Sequence, residues 1–439
     1  MSAAIHLIDG AAFEAKPRAI EDAIATAFAI RHADKLRYCH DWKAWLRWDG
    51  TRWEPERRKL AFHFAREIAR EANEEHKAAP AKASTAAGVE RFAQADPRLS
   101  TVSEDWDQDP WLLATPGGTV GLRTGEMRPA RQQDFITKRT TVTPAGEPDL
   151  WLRFLDETTK GDTELASYLK RVVGYCLTGD VSEEVLFFIY GGGGNGKGVF
   201  IETIVAAIGD YARTSDMATF TAAKGERHTT DMAMLCGARL VTAEETEKGS
   251  AWAETRIKKL TGGGNVTARF MHKDNFTFDP TFKLVFAGNH KPALQAVDEA
   301  VRRRFHMIPF LHKAKRDKTL KARMKAELPA ILAWAIEGCL EWQAEGLQPP
   351  ESVLAASEEY FAEQDILGRW LEECCTVEPH AWELTARLYC SWSDYARRCG
   401  EEPGSTTAFN STLKMRGFTA DRHTVEGRTQ RVFEGLRLC

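Results

Sequence analysis

The apolar run Val185-Leu186-Phe187-Phe188-Ile189-Tyr190 feeds directly into Gly191-Gly192-Gly193-Gly194-Asn195-Gly196-Lys197-Gly198, and helix-forming residues from Val199 to Ala207 follow. Few folds accommodate that order. A buried strand, a glycine loop ending in Gly-Lys and a helix together read as a phosphate-binding loop. Glycine lets backbone N–H groups approach phosphate oxygens closely, and the helix N-terminus adds its positive end. Gly191 to Val199 are therefore the expected nucleotide-binding residues, with Lys197 directed at the β- and γ-phosphates of ATP. Gly198 stands where a Ser or Thr hydroxyl ordinarily faces Mg²⁺, so either water replaces that ligand or the metal chemistry is impaired.

Such a site needs an acid at the end of a second buried strand, and Ala238-Arg239-Leu240-Val241-Thr242-Ala243-Glu244-Glu245 offers two. Glu244 is the expected holder of Mg²⁺ through water, and Glu245 the group that polarises the attacking water. A third apolar run, Phe282 to Gly288, ends at Asn289, whose amide is suited to touch both the γ-phosphate and that water. Arg302-Arg303-Arg304 then precede the apolar run Met307-Ile308-Pro309-Phe310. An arginine delivered from a neighbouring subunit would stabilise charge on the γ-phosphate, which demands an oligomer.

The pattern of runs divides the chain. Residues 1–148 read as an α+β region. Within it WKAWLRWDGTRW, Trp42 to Trp53, forms a hairpin about Asp49-Gly50, with its four tryptophans expected in a core. Arg57 to Gln94 is helical with breaks near Pro80 and Gly88, and Trp111 to Pro129 gives short strands. Residues 149–184 carry two amphipathic helices, and 185–350 alternate buried strands with helices, the mark of a mainly parallel sheet. A helix from Leu328 to Trp342 has Pro329 in its first turn. Residues 358–439 predict helices at Ala362–Cys375, Trp382–Cys399 and Thr406–Arg416, then a β-hairpin, which is the winged-helix arrangement. On a recognition helix and wing, Lys414, Arg416, Arg422 and Arg428 are the expected contacts to duplex DNA, the alternative being a protein-docking module whose cations are solvated.

Composition narrows the function. With 59 basic and 63 acidic residues the net charge is −4, which excludes a uniformly basic coat for nucleic acid and confines any DNA contact to local surfaces. The nine cysteines include no C-x-x-C pair, so neither a zinc site nor a disulfide framework is expected. The chain has no stretch of about 20 apolar residues and no signal-like N-terminus, from which a cytoplasmic protein with no membrane partner is expected.

In this order the motifs resemble those of superfamily 3 helicases, and specifically the helicase half of phage and plasmid primase-helicases related to satellite-phage and poxvirus replication proteins. Gly194-Asn195-Gly196-Lys197 is similar to the family's A motif, Leu240 to Glu245 to its B motif, Lys259 to Phe270 to its B-prime motif, and FAGNHKP, Phe286 to Pro292, to its C motif. Gly198 and Gly264 depart from the usual Ser or Thr and Asp. The resemblance implies an AAA+-like ATPase assembled into a ring, usually hexameric, that moves along single-stranded DNA and unwinds forks. It further implies a pore hairpin at Arg269 to Phe276, with Arg269, His272 and Lys273 on DNA, and an arginine finger at Arg303 or Arg304. No primase segment is expected here, so a separate primase or replication initiator is the implied partner. A second reading, favoured by Gly198, is a nucleotide-gated DNA-binding or loading factor that uses ATP for assembly without unwinding.

Overall fold

The structure, a computed structural model, describes residues 21–76, 82–222, 230–244, 250–269, 274–294, 297–313, 317–425 and 427–439. The N-terminal part is α+β. Helix α1 (Glu21–His32) is followed by strands β1 (Leu36–Cys39), β2 (Ala44–Trp48) and β3 (Trp53–Pro55), helices α2 (Leu60–His76) and α3 (Ala83–Gln94), and strand β4 (Ser100–Thr101). The sheet order is β3-β2-β1-β4, with the expected hairpin between β2 and β3. Trp45 and Trp53 are buried, as a packing role requires, whereas Trp42 is exposed. Gly88 does not break its helix and lies within α3. A small meander, β5 (Leu112–Thr115), β6 (Gly118–Gly121) and β7 (Glu126–Arg128), completes this part.

Helices α4 (Asp149–Thr159) and α5 (Thr163–Cys176) lead into the central layer. There the chain runs β8 (Leu186–Tyr190), α6 (Lys197–Ile208), β9 (Ala212–Thr214), α7 (Thr230–Ala233), β10 (Leu240–Glu244) and α8 (Glu254–Thr261). It continues through the hairpin β11 (Val266–Arg269) and β12 (Asn275–Phe278), then β13 (Lys283–Gly288), α9 (Glu299–Arg302), β14 (Phe305–Pro309) and α10 (Leu320–Glu345). Strands β14, β8, β13, β10 and β9 form one sheet in that order, every neighbouring pair parallel. A parallel sheet covered on both faces needs strands apolar throughout, and β8 and β13 are buried almost end to end. All five carboxyl ends therefore point the same way, so residues that close β8, β10 and β13 meet at one edge.

Helix α10 begins eight residues before the expected start, so Pro329 sits well inside it rather than in its first turn. It packs closely on α5: a side chain on Gly174 would meet the backbone of Gly338 and Cys339, and one on Gly338 would meet the carbonyl of Lys170. Helix α11 (Glu351–Gln364) lies against β14, with Tyr360 and Phe361 in the same apolar cluster as Phe305 and Met307.

The remaining elements are α12 (Ile366–Cys374), β15 (Cys375–Leu384), α13 (Thr385–Arg398), α14 (Thr406–Met415), β16 (Thr419–Val425) and β17 (Arg428–Leu438). They enclose a separate core around Trp370, Leu388, Phe409 and Phe433. Two expectations fail here. The helix expected over Ala362–Cys375 is broken at Asp365, whose carboxylate caps α12 through Gly368 N–H at 2.9 Å. Trp382 belongs to a strand rather than a helix, because Cys375–Leu384 pairs with β17, so the hairpin β16–β17 becomes a sheet of order β15-β17-β16.

Candidate active site

The glycine loop crosses from the carboxyl end of β8 to α6, as its sequence requires. Gly194 and Gly196 have φ of 82° and 86°, values that a side chain would strain. A Cβ on Gly196 would also stand 2.9 Å from the ring of Phe154, so α4 braces the turn from behind. Asn195 is buried and its Nδ2 donates to the Phe310 carbonyl at 2.5 Å, tying the loop to the end of β14.

Lys197 opens α6. Its Nζ donates to the carbonyls of Gly191 at 2.8 Å and Gly192 at 3.0 Å, and to Asn289 Oδ1 at 3.1 Å. Burial lowers its pKa below the ordinary lysine value, and the Glu244 carboxylate opposes that shift. Around this amine lies a cavity of about 370 Å³, lined by Gly193 to Val199, Glu244, Ala287, Gly288, Asn289 and Lys321. Three residues expected from separate stretches, Lys197, Glu244 and Asn289, thus share one cavity at the carboxyl edge of the sheet. Glu245 lies outside the described residues.

Residues that the linear motifs did not single out also lie beside the loop, and Lys321 among them lines the cavity. A Cβ on Gly198 would lie 3.6 Å from Glu244 Oε2 and 3.8 Å from Glu202 Oε1, so two carboxylates border the position of the missing hydroxyl. Glu202 pairs with Lys321 at 2.6 Å, and Lys313 lies against Gly194. The spacing of Glu202, one helical turn after Gly198, was the available signal; Lys313 and Lys321 offered none.

Known proteins bear on this geometry. Residues 25–160 match the family described as D5 N terminal like, and residues 189–304 match a family of unknown function (DUF5906). A protein of Acanthamoeba polyphaga mimivirus named as a helicase, L207/L206, is 27% identical over 237 residues, 52% of this chain and 25% of its own length. One of Frog virus 3, also named as a helicase, is 23% identical over 320 residues, 67% of this chain and 31% of its own. A protein of African swine fever virus named as a primase, C962R, is 22% identical over 231 residues, 49% and 24% of the two chains. The likeness is to D5-type primase-helicases. The chain spans about a quarter to a third of the length of these relatives. In fold it is similar to the apo structure of the NrS-1 C-terminal region, with a TM-score of 0.55 and 10% identity over 94% of this chain and 98% of that one.

The other expected residues fall in different settings. Arg304 is buried, and its guanidinium donates to Glu184 at 2.7 Å, Thr261 Oγ1 at 3.2 Å and the Ala300 carbonyl at 2.8 Å. It is consumed within its own chain and cannot serve as a free finger in this conformation. Arg303 is the exposed member of the pair, with a side chain 59% accessible and one longer contact to Glu184 at 3.2 Å. Arg302 pairs with Glu358 at 2.7 Å. Both arms of the expected pore hairpin are present as β11 and β12, with Arg269 exposed at the end of β11; the tip with His272 and Lys273 lies outside the described residues.

In the C-terminal part Lys414, Arg422 and Arg428 are exposed, whereas the guanidinium of Arg416 pairs with Asp365. Arg416 therefore has an internal partner that the sequence reading did not foresee. Arg422 sits directly opposite Arg431 across β16 and β17, and neither forms an ion pair among the described residues. Two like charges side by side on neighbouring strands repel, so an external anion would relieve them.

Proposed function

We propose that this chain is an ATP-driven DNA motor of replication, of the superfamily 3 helicase type. The observation that carries the reading is the Lys197 amine, which bridges the glycine loop and Asn289 in a cavity bordered by Glu244. The sheet order β14-β8-β13-β10-β9 also suits the AAA+-like arrangement that the motifs imply.

In this reading the loop N–H groups and the start of α6 bind the phosphates of ATP. Lys197 exchanges its backbone carbonyls for phosphate oxygens, which are stronger partners for an ammonium. The oxygen-only donors beside Gly198 suit Mg²⁺: Glu244 would hold it, with Glu202 at hand and water in place of the missing hydroxyl. When bound, the ion supplies charge neutralisation at the terminal phosphates. Glu245 orients and deprotonates the attacking water, and Asn289 fixes its position against the γ-phosphate.

Arg303 precedes β14, at the amino end of the sheet, whereas the glycine loop follows the carboxyl end of β8. A five-residue strand separates the two edges by roughly 17 Å, beyond the reach of an arginine side chain. Arg303 therefore serves the cavity of a neighbouring subunit, in keeping with a ring that is hexameric by resemblance. Single-stranded DNA is gripped in the pore by the β11–β12 hairpin through Arg269, His272 and Lys273. The α12–β17 region acts as a winged helix that meets duplex through Lys414, Arg422 and Arg428, joined by Arg431.

Mixing tests the arrangement. Arg303→Ala and Lys197→Ala proteins should each be deficient in ATP hydrolysis and recover part of it when combined, because some cavities then pair an intact loop with an intact finger. Absence of recovery, with subunit exchange verified by mass measurement, would contradict it. Gly198 favours a second reading, a loading factor that assembles on ATP without unwinding, which would bind ATP and DNA normally and displace no strand.

A further inference from the structure

The turn that follows β13 carries Asn289, and within the described residues it is fastened to α11. Tyr360, fully buried, donates its hydroxyl to the Pro292 carbonyl and accepts from Trp252 Nε1 at 2.9 Å. Four residues further along α11, Gln364 Oε1 accepts from Leu294 N–H at 3.1 Å. Between them Glu363 lies 3.6 Å from the Lys291 amine, which stands 4.4 Å from the ring centre of Tyr190 and 5.7 Å from that of Tyr360. Tyr190 is the residue before Gly191. One lysine, two positions past Asn289, therefore ties the turn both to the root of the glycine loop and to α11.

The same helix holds the other edge of the sheet. Ser357 Oγ accepts from Met307 N–H at 3.0 Å, Glu358 pairs with Arg302, and the Arg302 guanidinium lies 5.1 Å from the ring centre of Phe361. At its end Asp365 caps α12 and pairs with Arg416 at the end of α14. Thus α11 touches the turn bearing Asn289, the arginine segment before β14 and the C-terminal core.

We propose that α11 sets the position of Asn289, with Tyr360 as the positioning residue that does so through the Pro292 carbonyl. The inference rests on the nucleotide reading of the Lys197 cavity and deepens it. An amide that must touch a reacting phosphate and a water is sensitive to displacements of a fraction of an ångström, whereas binding of the phosphates by the loop is not. Loss of the hydroxyl should therefore slow the chemical step and leave nucleotide affinity in place.

The test compares Tyr360→Phe with Ser357→Ala, which removes a hydrogen bond of the same helix that does not involve the turn. Binding of a fluorescent ATP analogue, steady-state ATP hydrolysis and thermal unfolding are measured on each full-length protein. Tyr360→Phe should lower kcat roughly tenfold with KM and nucleotide affinity unchanged, while Ser357→Ala keeps kcat near the wild-type value. Wild-type kcat in Tyr360→Phe, or an equal fall in both variants, overturns the positioning role. If Tyr360→Phe does not fold, Lys291→Met is read in the same way against Lys291→Arg, which keeps the cation over Tyr190: loss in the first with retention in the second supports the proposal, and equal behaviour overturns it. Failure of the wild-type protein to bind the analogue would instead remove the nucleotide reading itself, and the positioning role with it.

Discussion

Lys197, at the start of α6, and Lys283, at the start of β13, are both buried against the central parallel sheet, at 9% and 2% accessibility, and both give hydrogens to backbone carbonyls, yet they stand at opposite ends of its strands. Lys283 opens β13 and donates to the carbonyls of Thr178 and Asp180, beneath the ring of Tyr175. Beside it Arg239 donates to the carbonyls of Leu177 and Leu112, each at 2.7 Å. These two side chains pin the α5–β8 connection and the N-terminal meander to the sheet. Lys197 has the same kind of partners, but it also donates to Asn289 and adjoins a cavity that Glu244 and Asn289 help to line. Burial and carbonyl bonding alone do not mark a functional lysine. Open space shared with groups from other strand ends does.

Substitution of each lysine should separate the two roles. Lys197→Ala should reduce ATP hydrolysis by roughly a hundredfold or more while the protein keeps its unfolding temperature, since in the proposed site it removes the cation that would face developing phosphate charge. Lys283→Met should retain hydrolysis and alter stability instead. Loss of hydrolysis in the folded Lys283→Met protein would break the comparison.

The pH dependence of stability is the next effect in size. Burial pushes Lys283 down to about 7, below its ordinary range near 10.5. Between those values the unfolded chain binds a proton that the folded chain does not, so this group makes stability rise with pH above about 7. From pH 7 to 8.5 its share is roughly 1–2 kcal/mol. Lys283→Met should remove that part of the slope in chemical unfolding followed over this range. An unchanged slope would mean that Lys283 keeps an ordinary affinity for its proton.

How much of this could be read from the sequence depended on whether the groups lie together along the chain. The glycine loop was legible because strand, loop and helix are contiguous, and Glu244 and Asn289 because each closes an apolar run. Lys313 and Lys321 were not, because the fold rather than their spacing brings them close, and Glu202 was marked only by its spacing of one helical turn from Gly198. Position before the apolar run favoured Arg303 and Arg304 over Arg302 but did not separate the two; the short helix α9 and the turn after it send Arg302 to Glu358, bury Arg304 and leave Arg303 outward. Strand β15 was missed because Pro379 and a break in register between Val377 and Trp382 hide its alternation, which an edge strand tolerates. Asp365 ends one helix and caps the next, a junction that continuous helical composition conceals.

The C-terminal sheet offers the smallest effect. Arg422→Ala and Arg431→Ala should each weaken duplex binding modestly and reduce the slope of log affinity against log salt by about 0.9 if each contacts one phosphate. Arg416→Ala should act mainly on stability, since its partner is Asp365. A larger change in salt slope for Arg416 than for Arg422 would reverse that assignment.

Strand displacement from a forked duplex, with hydrolysis followed in the same reaction, decides whether the Lys197 cavity drives movement on DNA. Wild-type protein should displace the strand only with ATP and Mg²⁺, hydrolysis should rise with single-stranded DNA, and Lys197→Ala should do neither while still binding the fork. Displacement by Lys197→Ala at the wild-type rate, or ATP hydrolysis by the wild type with no displacement under any fork geometry, would contradict that role.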